Sequence, residues 1–335
     1  MRWKFSRKWA ALWVALSLSV GGLTACAAAE EKVTATGFFF DTVVTITLNN
    51  TIQSTVDNIL QICGEYEELL SKTVEGSDVW RINHSEGQPV TVSQHTLNIL
   101  DVASKFSGLS EGAFDVTVAP IVELWDFTGN TAVLPDAQEI KDRLALVGYQ
   151  KIQVNGDMVT LPAGMAVDFG GVAKGYIADR IAEYCRESGV KSGILNFGGN
   201  VVVLGEKPDG EPWKVGIQDP RSNTGTSIAA VSVRGKSVVT SGIYERGFTL
   251  DGVRYHHLLD PDTGWPAQNE LASVTIISDS SADGDALSTS CFVLGLEKGM
   301  ALIDSLDGIE AIFIDRDNKI TTSSGFENDL QLTVF

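Results

Sequence analysis

Cysteine, histidine and positive charge are all scarce in this chain of 335 residues, which has four cysteines, four histidines, and 25 Lys and Arg against 43 Asp and Glu. Beyond Cys26, the cysteines Cys63, Cys185 and Cys291 form no CxxC and no paired spacing. That excludes a disulfide framework and leaves them as small buried residues of predicted helices. His84, His95, His256 and His257 make no HExxH or similar cluster, so the pattern argues against zinc, and any metal is expected to be a hard ion held by oxygen. The GxxxxGK[ST] spacing of a P-loop is missing too. No repeat is present, and no Pro/Gly/Ser linker interrupts the chain after residue 36.

The basic residues that do occur are unevenly placed. MRWKFSRKW carries four of them and no acid, ALWVALSLSVGGLTA is apolar with small residues, and Cys26 follows. This is the order of a signal peptide's charged, apolar and cleavage regions, and the apolar run is short for a membrane span. Leu23-Thr24-Ala25-Cys26 resembles the bacterial lipobox, which implies a signal peptide over 1–25, a lipidated Cys26 and a tether over 26–36. An uncleaved anchor helix is the alternative. Either way, residues 37–335 are expected outside the cytoplasm, held at the bacterial cell membrane. Loss of residues 1–25 leaves 21 basic against 43 acidic residues, a formal charge of −22. So acidic a surface repels nucleic acid and anionic lipid, which excludes nucleic-acid binding and assigns membrane contact to the lipid.

About 300 residues of ordinary apolar content can bury a large core without staples. Residues 37–48 alternate as a strand, and helical spacing runs over 54–70, 94–106, 136–146 and 176–186. From 195 to 259 the texture changes to short apolar runs broken by Gly, Asp and Pro, with LDGVRY a strong hairpin signal. Helices and hairpins come in blocks, so an α+β fold is expected: mostly antiparallel sheets with packed helices, in one catalytic unit that could divide into two lobes.

Several segments could carry chemistry. In DGDALSTS, Asp285 and Thr289 stand at i and i+4, and on a helix starting near Ala282 they would share one face and could touch one small object. A capped helix with Asp283 at its dipole and Ser281 as its cap explains the same acids. In VDFGGVAKGYIAD a strand-like start runs into Gly170-Gly171 and a helix with Lys174 in its first turn, which suits a phosphate or merely a glycine-rich helix start. GAFDVTVAP puts Asp115 and Thr117 ahead of an apolar helix, as a cap or as a site. Thr240-Ser241-Gly242 reads as a loop able to cradle a ligand. His256 and His257 face opposite ways in a strand, and His257 is the candidate general base, with a structural histidine as the alternative.

Taken in order, FFFDTVVTI (38–46), GAFDVTVAP (112–120), VDFGGVAKGYIAD (167–179), LNFGGNV (195–201), WKVGIQDP (213–220), VVTSGIYERGF (238–248), HHLLDPDTGWP (256–266) and ADGDALSTSCFVLG (282–295) resemble the ApbE flavin transferases, the FAD:protein FMN transferase family. The resemblance spans nearly all of 37–335. It implies an enzyme dependent on Mg²⁺ that takes FAD as substrate, moves FMN onto a Thr or Ser hydroxyl of an exported acceptor flavoprotein with a Gly-Ala-Ser/Thr-type motif, and releases AMP. It further implies that Asp285, Thr289 and the Gly171 carbonyl ligate Mg²⁺. Asp285, through that ion, and His257, as the candidate base read from the residues, are the expected catalytic residues. Phe40, Ala113, Phe114, Asp115, Asp168, Lys174 and Leu259 would line FAD. The family often has Met-Gly-Thr where this chain reads Phe40-Asp41-Thr42.

Two rival functions fit the same residues: an FAD pyrophosphatase that uses water as nucleophile, and a lipoprotein that binds flavin without turnover. Self-flavinylation fits poorly, because Gly112-Ala113-Phe114 has Phe where an acceptor needs Ser or Thr.

Overall fold

A computed structural model describes residues 32–125, 127, 132–222, 225–326 and 330–335. The expected signal peptide and Cys26 lie outside the described residues, and Glu31–Phe335 form one unit. The chain opens with β1 (Lys32–Phe39), β2 (Thr42–Asn49), α1 (Gln53–Leu70), α2 (Asp78–Asn83), β3 (Val90–Thr91) and α3 (Gln94–Leu109). A 3₁₀ turn (Val116–Val118) leads into α4 (Ala119–Trp125), α5 (Ala137–Leu144), β4 (Gln153–Asn155), β5 (Met158–Thr160) and α6 (Ala173–Glu187). Hairpins follow as β6 (Gly193–Phe197), β7 (Asn200–Leu204), β8 (Trp213–Gln218), β9 (Ser227–Val233), β10 (Ser237–Gly242), β11 (Gly247–Leu250) and β12 (Val253–His256). The last elements are β13 (Leu271–Ser278), α7 (Ser281–Asp304), β14 (Glu310–Asp315), β15 (Ile320–Thr322) and β16 (Gln331–Val334).

Eight strands form the central sheet in the order β1-β2-β6-β7-β10-β13-β14-β15, and smaller sheets are β16-β9-β8, β3-β5-β4 and β11-β12. Every strand pairing among the described residues is antiparallel, so the α+β expectation holds. Strand alternation divides the core into two layers. Val202, Leu204, Val274, Ile276 and Phe313 face α1, α3, α6 and α7. Their neighbours Val203, Ile277, Ile312 and Ile314 face β8, β9 and β16. Each such aliphatic side chain contributes about 1.5–3 kcal/mol by leaving water. A third cluster packs Ile121, Trp125, Ile140 and Leu259. Cys63, Cys185 and Cys291 are buried and unpaired in α1, α6 and α7, as expected.

Four local readings are corrected. The single strand over 37–48 is a hairpin, β1 and β2 paired in full register around Phe40-Asp41, and it begins at Lys32. Both turn residues have φ of 56°, a left-handed pair usually signalled by Asn-Gly, so the alternation ran unbroken through the turn. Residues 165–169 form no strand; this segment is pinned instead by the Asn83 side chain on both polar groups of Val167, and by Asp168 N–H on Val116 O. Thr240-Ser241-Gly242 is no loop but the end of β10, bonded to β13. His257 lies just past β12, beyond the strand expected to carry it.

α7 is long and apolar enough to cross a membrane, yet more than half of that stretch is buried inside the protein. It starts one residue ahead of Ala282 and is capped by Ser280, whose Oγ accepts the Asp283 N–H at 3.1 Å. Asp179 of α6 accepts the next two N–H groups, from Ser281 and Ala282. The cap expected at Ser281 therefore falls elsewhere, and the Ser281 hydroxyl is buried without a partner. Within α7 the backbone breaks helical geometry at Gly295.

Candidate active site

The site is assembled where α6 meets α7. A side chain at Gly175 would strike the Ser281 carbonyl and lie 2.8 Å from Ala282 Cα, so only glycine lets the two helices come this close. The contact brings the Gly175 N–H to Asp285 Oδ2 at 3.0 Å. Asp285 is 3% exposed, and this bond anchors one carboxylate oxygen in a setting too dry for a mobile charge. Lys174, one residue earlier, places Nζ 3.7 Å from Asp285 Oδ1 and donates to Gly170 O at 2.8 Å.

One turn along α7, Thr289 Oγ1 lies 3.3 Å from Ser241 Oγ, which also meets Ser288 Oγ at 2.8 Å. Gly171 presses between Phe114 and Thr289: a Cβ there would be 3.0 Å from the Phe114 ring and 3.7 Å from Thr289 Oγ1. The helical pair and the glycine segment are thus brought together, with Ser241 added by β10. All the donors here are oxygens, one carboxylate with hydroxyls and carbonyls, and the Lys174 ammonium already rests against two of them. That donor set fits a hard divalent cation with an incomplete protein shell.

Beside this cluster Asp168 Oδ2 accepts from Lys72 Nζ at 2.7 Å and Oδ1 from the Gly170 N–H at 2.7 Å. Although burial opposes it, the Lys72 ammonium and these bonds hold the Asp168 carboxyl below its usual range. Asp115 behaves otherwise. Both its oxygens already accept, Oδ1 from Thr117 N–H and Oγ–H and Oδ2 from Tyr149 N–H, and burial still pushes its carboxyl up. It holds the turn that presents Ala113 and Phe114.

Opposite, the β10–β11 turn carries Glu245 and Arg246. Arg246 O accepts the His257 N–H and meets His257 Nδ1, each at 3.3 Å. A carbonyl can only accept, so Nδ1 carries the proton and Nε2 is left with a lone pair. Desolvation, with Arg246 and Lys174 nearby, pushes the His257 imidazole down to about 3, so it is neutral at pH 7. Glu245 is exposed on the β10–β11 turn, within electrostatic reach of Lys174 and Arg246. His256, adjacent but turned away, is fully buried edge-on to Phe292.

Phe40 sits at the β1–β2 tip, packed on the same core as Phe114, and Leu259 lies in the Trp125 cluster. The tip lies beside the Gly198-Gly199 turn of β6 and β7, since a side chain at Gly198 would collide with Thr42. Sequence reasoning missed Glu67, Lys72 and Glu245. Lys72 and Glu67 sit in segments with no motif, and Glu245 signals itself only by standing next to Arg246.

The fold recurs in solved structures. The ApbE protein from Thermotoga maritima matches with a TM-score of 0.82 at 33% identity, covering 89% of this chain and 99% of that one. The flavin transferase ApbE from Vibrio cholerae matches at 0.81 and 30% identity, over 90% of this chain and all of that one. The fold is thus the one that flavin transferases use. Curated relatives agree: FAD:protein FMN transferases of Klebsiella pneumoniae and Treponema pallidum are 39% and 35% identical to this chain. The alignments cover 81% and 82% of it, and 85% and 80% of theirs. The ApbE family pattern matches residues 40–313, and the chain belongs to that family.

Proposed function

We propose that the chain is an FAD:protein FMN transferase that moves FMN from FAD onto a Thr or Ser hydroxyl of an exported acceptor protein and releases AMP. The observation that carries this reading is the convergence of Asp285, Thr289, Gly171 and Lys174 at one point, in a family whose named members are flavin transferases.

Asp285, Thr289 and the Gly171 carbonyl are the groups that would hold Mg²⁺. When bound, the ion supplies charge neutralisation for a pyrophosphate. Lys174, on its short reach from α6, adds a second positive charge for the phosphates. Ser241 keeps Thr289 in its rotamer. Asp168, fixed by Lys72, and Phe40, Ala113, Phe114, Asp115 and Leu259 line the dinucleotide. The acceptor oxygen attacks the FMN-side phosphorus, the bond from that phosphorus to the AMP-side oxygen breaks, and AMP leaves in line. His257, with Nδ1 committed to Arg246 O and the Nε2 lone pair open, is the group that takes the acceptor's hydroxyl proton. Export behind a cleaved signal and lipidation of Cys26 would hold the enzyme at the outer face of the membrane, where its acceptors reside.

The test is to mix the full chain in detergent with FAD, Mg²⁺ and a protein carrying a Gly-Ala-Thr-type motif, then weigh the acceptor by mass spectrometry. A gain of one FMN that requires Asp285 supports the proposal. An unmodified acceptor with free FMN and AMP would make the enzyme a pyrophosphatase, and intact FAD would leave only flavin binding.

A further inference from the structure

Two residues expected to line FAD are each held by one short stretch at the end of α1. Glu67 Oε1 accepts the Phe40 N–H at 2.7 Å, and Lys72, five residues on, donates to Asp168 Oδ2 at 2.7 Å. Neither bond belongs to a helix or a sheet ladder, and they join residues 27 and 96 positions apart.

We propose that Glu67 and Lys72 are positioning residues for FAD: from the last turn of α1 and the bend just beyond it they fix the Phe40 backbone and the Asp168 carboxylate, two walls of the dinucleotide site. The inference rests on the FAD-lining roles given above to Phe40 and Asp168.

Phe40 stands at φ 56°, a left-handed conformation that is unfavourable for a bulky residue and that a Gly or Asn would adopt freely. A charge-assisted bond from a half-buried carboxylate is what holds a phenylalanine there, and such strain is characteristic of ligand sites. Asp168 precedes Gly170-Gly171 and is clamped from both sides, Lys72 on one oxygen and Gly170 N–H on the other, so the Lys72 contact sets where the glycine segment begins. The brace itself is stiff. Val56, Ile59, Cys63 and Leu70 bury α1, its last turn closes through Ser71 N–H on Glu67 O, and Ser77 Oγ–H donates to Ser71 O across the following turn. A single rigid support under two walls fixes their separation, which is the quantity a dinucleotide reads.

The experiment measures FAD affinity of the full chain by quenching of flavin fluorescence, with KM and kcat for transfer and thermal melting as a check on folding. Lys72→Met is expected to raise the Kd for FAD about tenfold, the size of a lost charged hydrogen bond, and to raise KM more than it lowers kcat. Lys72→Arg, which can still reach Asp168, restores affinity. In an Asp168→Asn background Lys72→Met has no further effect, as expected of a residue acting through its partner. Glu67→Ala weakens FAD comparably, Glu67→Gln does so less, and Phe40→Gly removes the need for Glu67. If Lys72→Met binds FAD like the unaltered chain while Asp168→Asn binds it weakly, the brace is wrong and the site stands. Additive effects of Lys72→Met and Asp168→Asn would make Lys72 a direct ligand and overturn its positioning role. If Asp168→Asn itself leaves FAD binding unchanged, the site reading fails and takes the inference with it.

Discussion

Lys174 Nζ stands 3.7 Å from Asp285 Oδ1 while donating to the Gly170 carbonyl at 2.8 Å, so an ammonium group balances the buried carboxylate that would receive a metal ion. Without that balance, Asp285 keeps only the Gly175 N–H. Lys174→Met should therefore destabilise the metal-free protein by about 1–3 kcal/mol, the cost of stranding a buried charge, and added Mg²⁺ should recover much of it. Differential scanning calorimetry with and without Mg²⁺ measures both.

Asp285 also has one oxygen already committed, Oδ2 to Gly175, which leaves Oδ1 for a cation. A carboxylate offering one oxygen suits Mg²⁺ and gives up the two-oxygen grip that Ca²⁺ favours. Transfer activity should vanish with EDTA, return with Mg²⁺, and return poorly with Ca²⁺. Asp285→Ala should lose it by 100-fold or more, an order-of-magnitude expectation for removing a preorganised charge at the reacting group.

Gly175→Ala should lower stability by about 1–3 kcal/mol, because the added methyl meets the backbone of Ser281 and Ala282 and no flexible side chain is there to yield. The same methyl pushes α7 off α6 and lengthens the Gly175–Asp285 bond, so activity should fall further than the melting temperature alone accounts for.

The histidine pair gives a signed pH response. Burial pushes the His256 imidazole from 6.5 down to about 4, so between those values the unfolded chain binds a proton that the folded chain refuses. Stability from this residue is complete above about pH 6.5 and is lost as the pH falls toward 4, by on the order of 3 kcal/mol. Urea melts from pH 7 to 4 should show the decline, and His256→Gln should remove the share due to His256 while that of His257, pushed down to about 3, remains. His257→Ala should instead lower kcat by about 100-fold or more with little change in the KM for FAD.

Burial holds the Cys63, Cys185 and Cys291 thiols up at about 12. Ellman's reagent should find none of these three reactive in the folded protein and all of them in guanidinium.

Much of this molecule was legible in its sequence, and the failures have physical reasons. The helix carrying Asp285 and Thr289 announced itself by an apolar run after a polar start, and the hairpins after residue 195 by their turn residues. The β1–β2 turn stayed hidden because Phe40 and Asp41 adopt left-handed geometry without glycine, and strand alternation carries straight through them. Ser241 reads as a loop residue because small polar residues near glycine signal turns, whereas here they let β10 pass close under α7. Glu67 and Lys72 act across 27 and 96 residues, and periodicity is blind to contacts of that range.

Sheet order has a consequence for how the enzyme comes into being. β2 pairs with β6, matching Val44 to Phe197, and β10 pairs with β13, matching Ser241 to Val274. The proposed site draws on residues from Phe40 to Thr289, so loop closures of more than a hundred residues precede any competent arrangement. If that site is the catalytic one, a nascent chain should remain inert until α7 has been synthesised, and a fragment lacking α7 should not consume FAD. Catalytic competence arrives late and all at once, as a property of the finished chain.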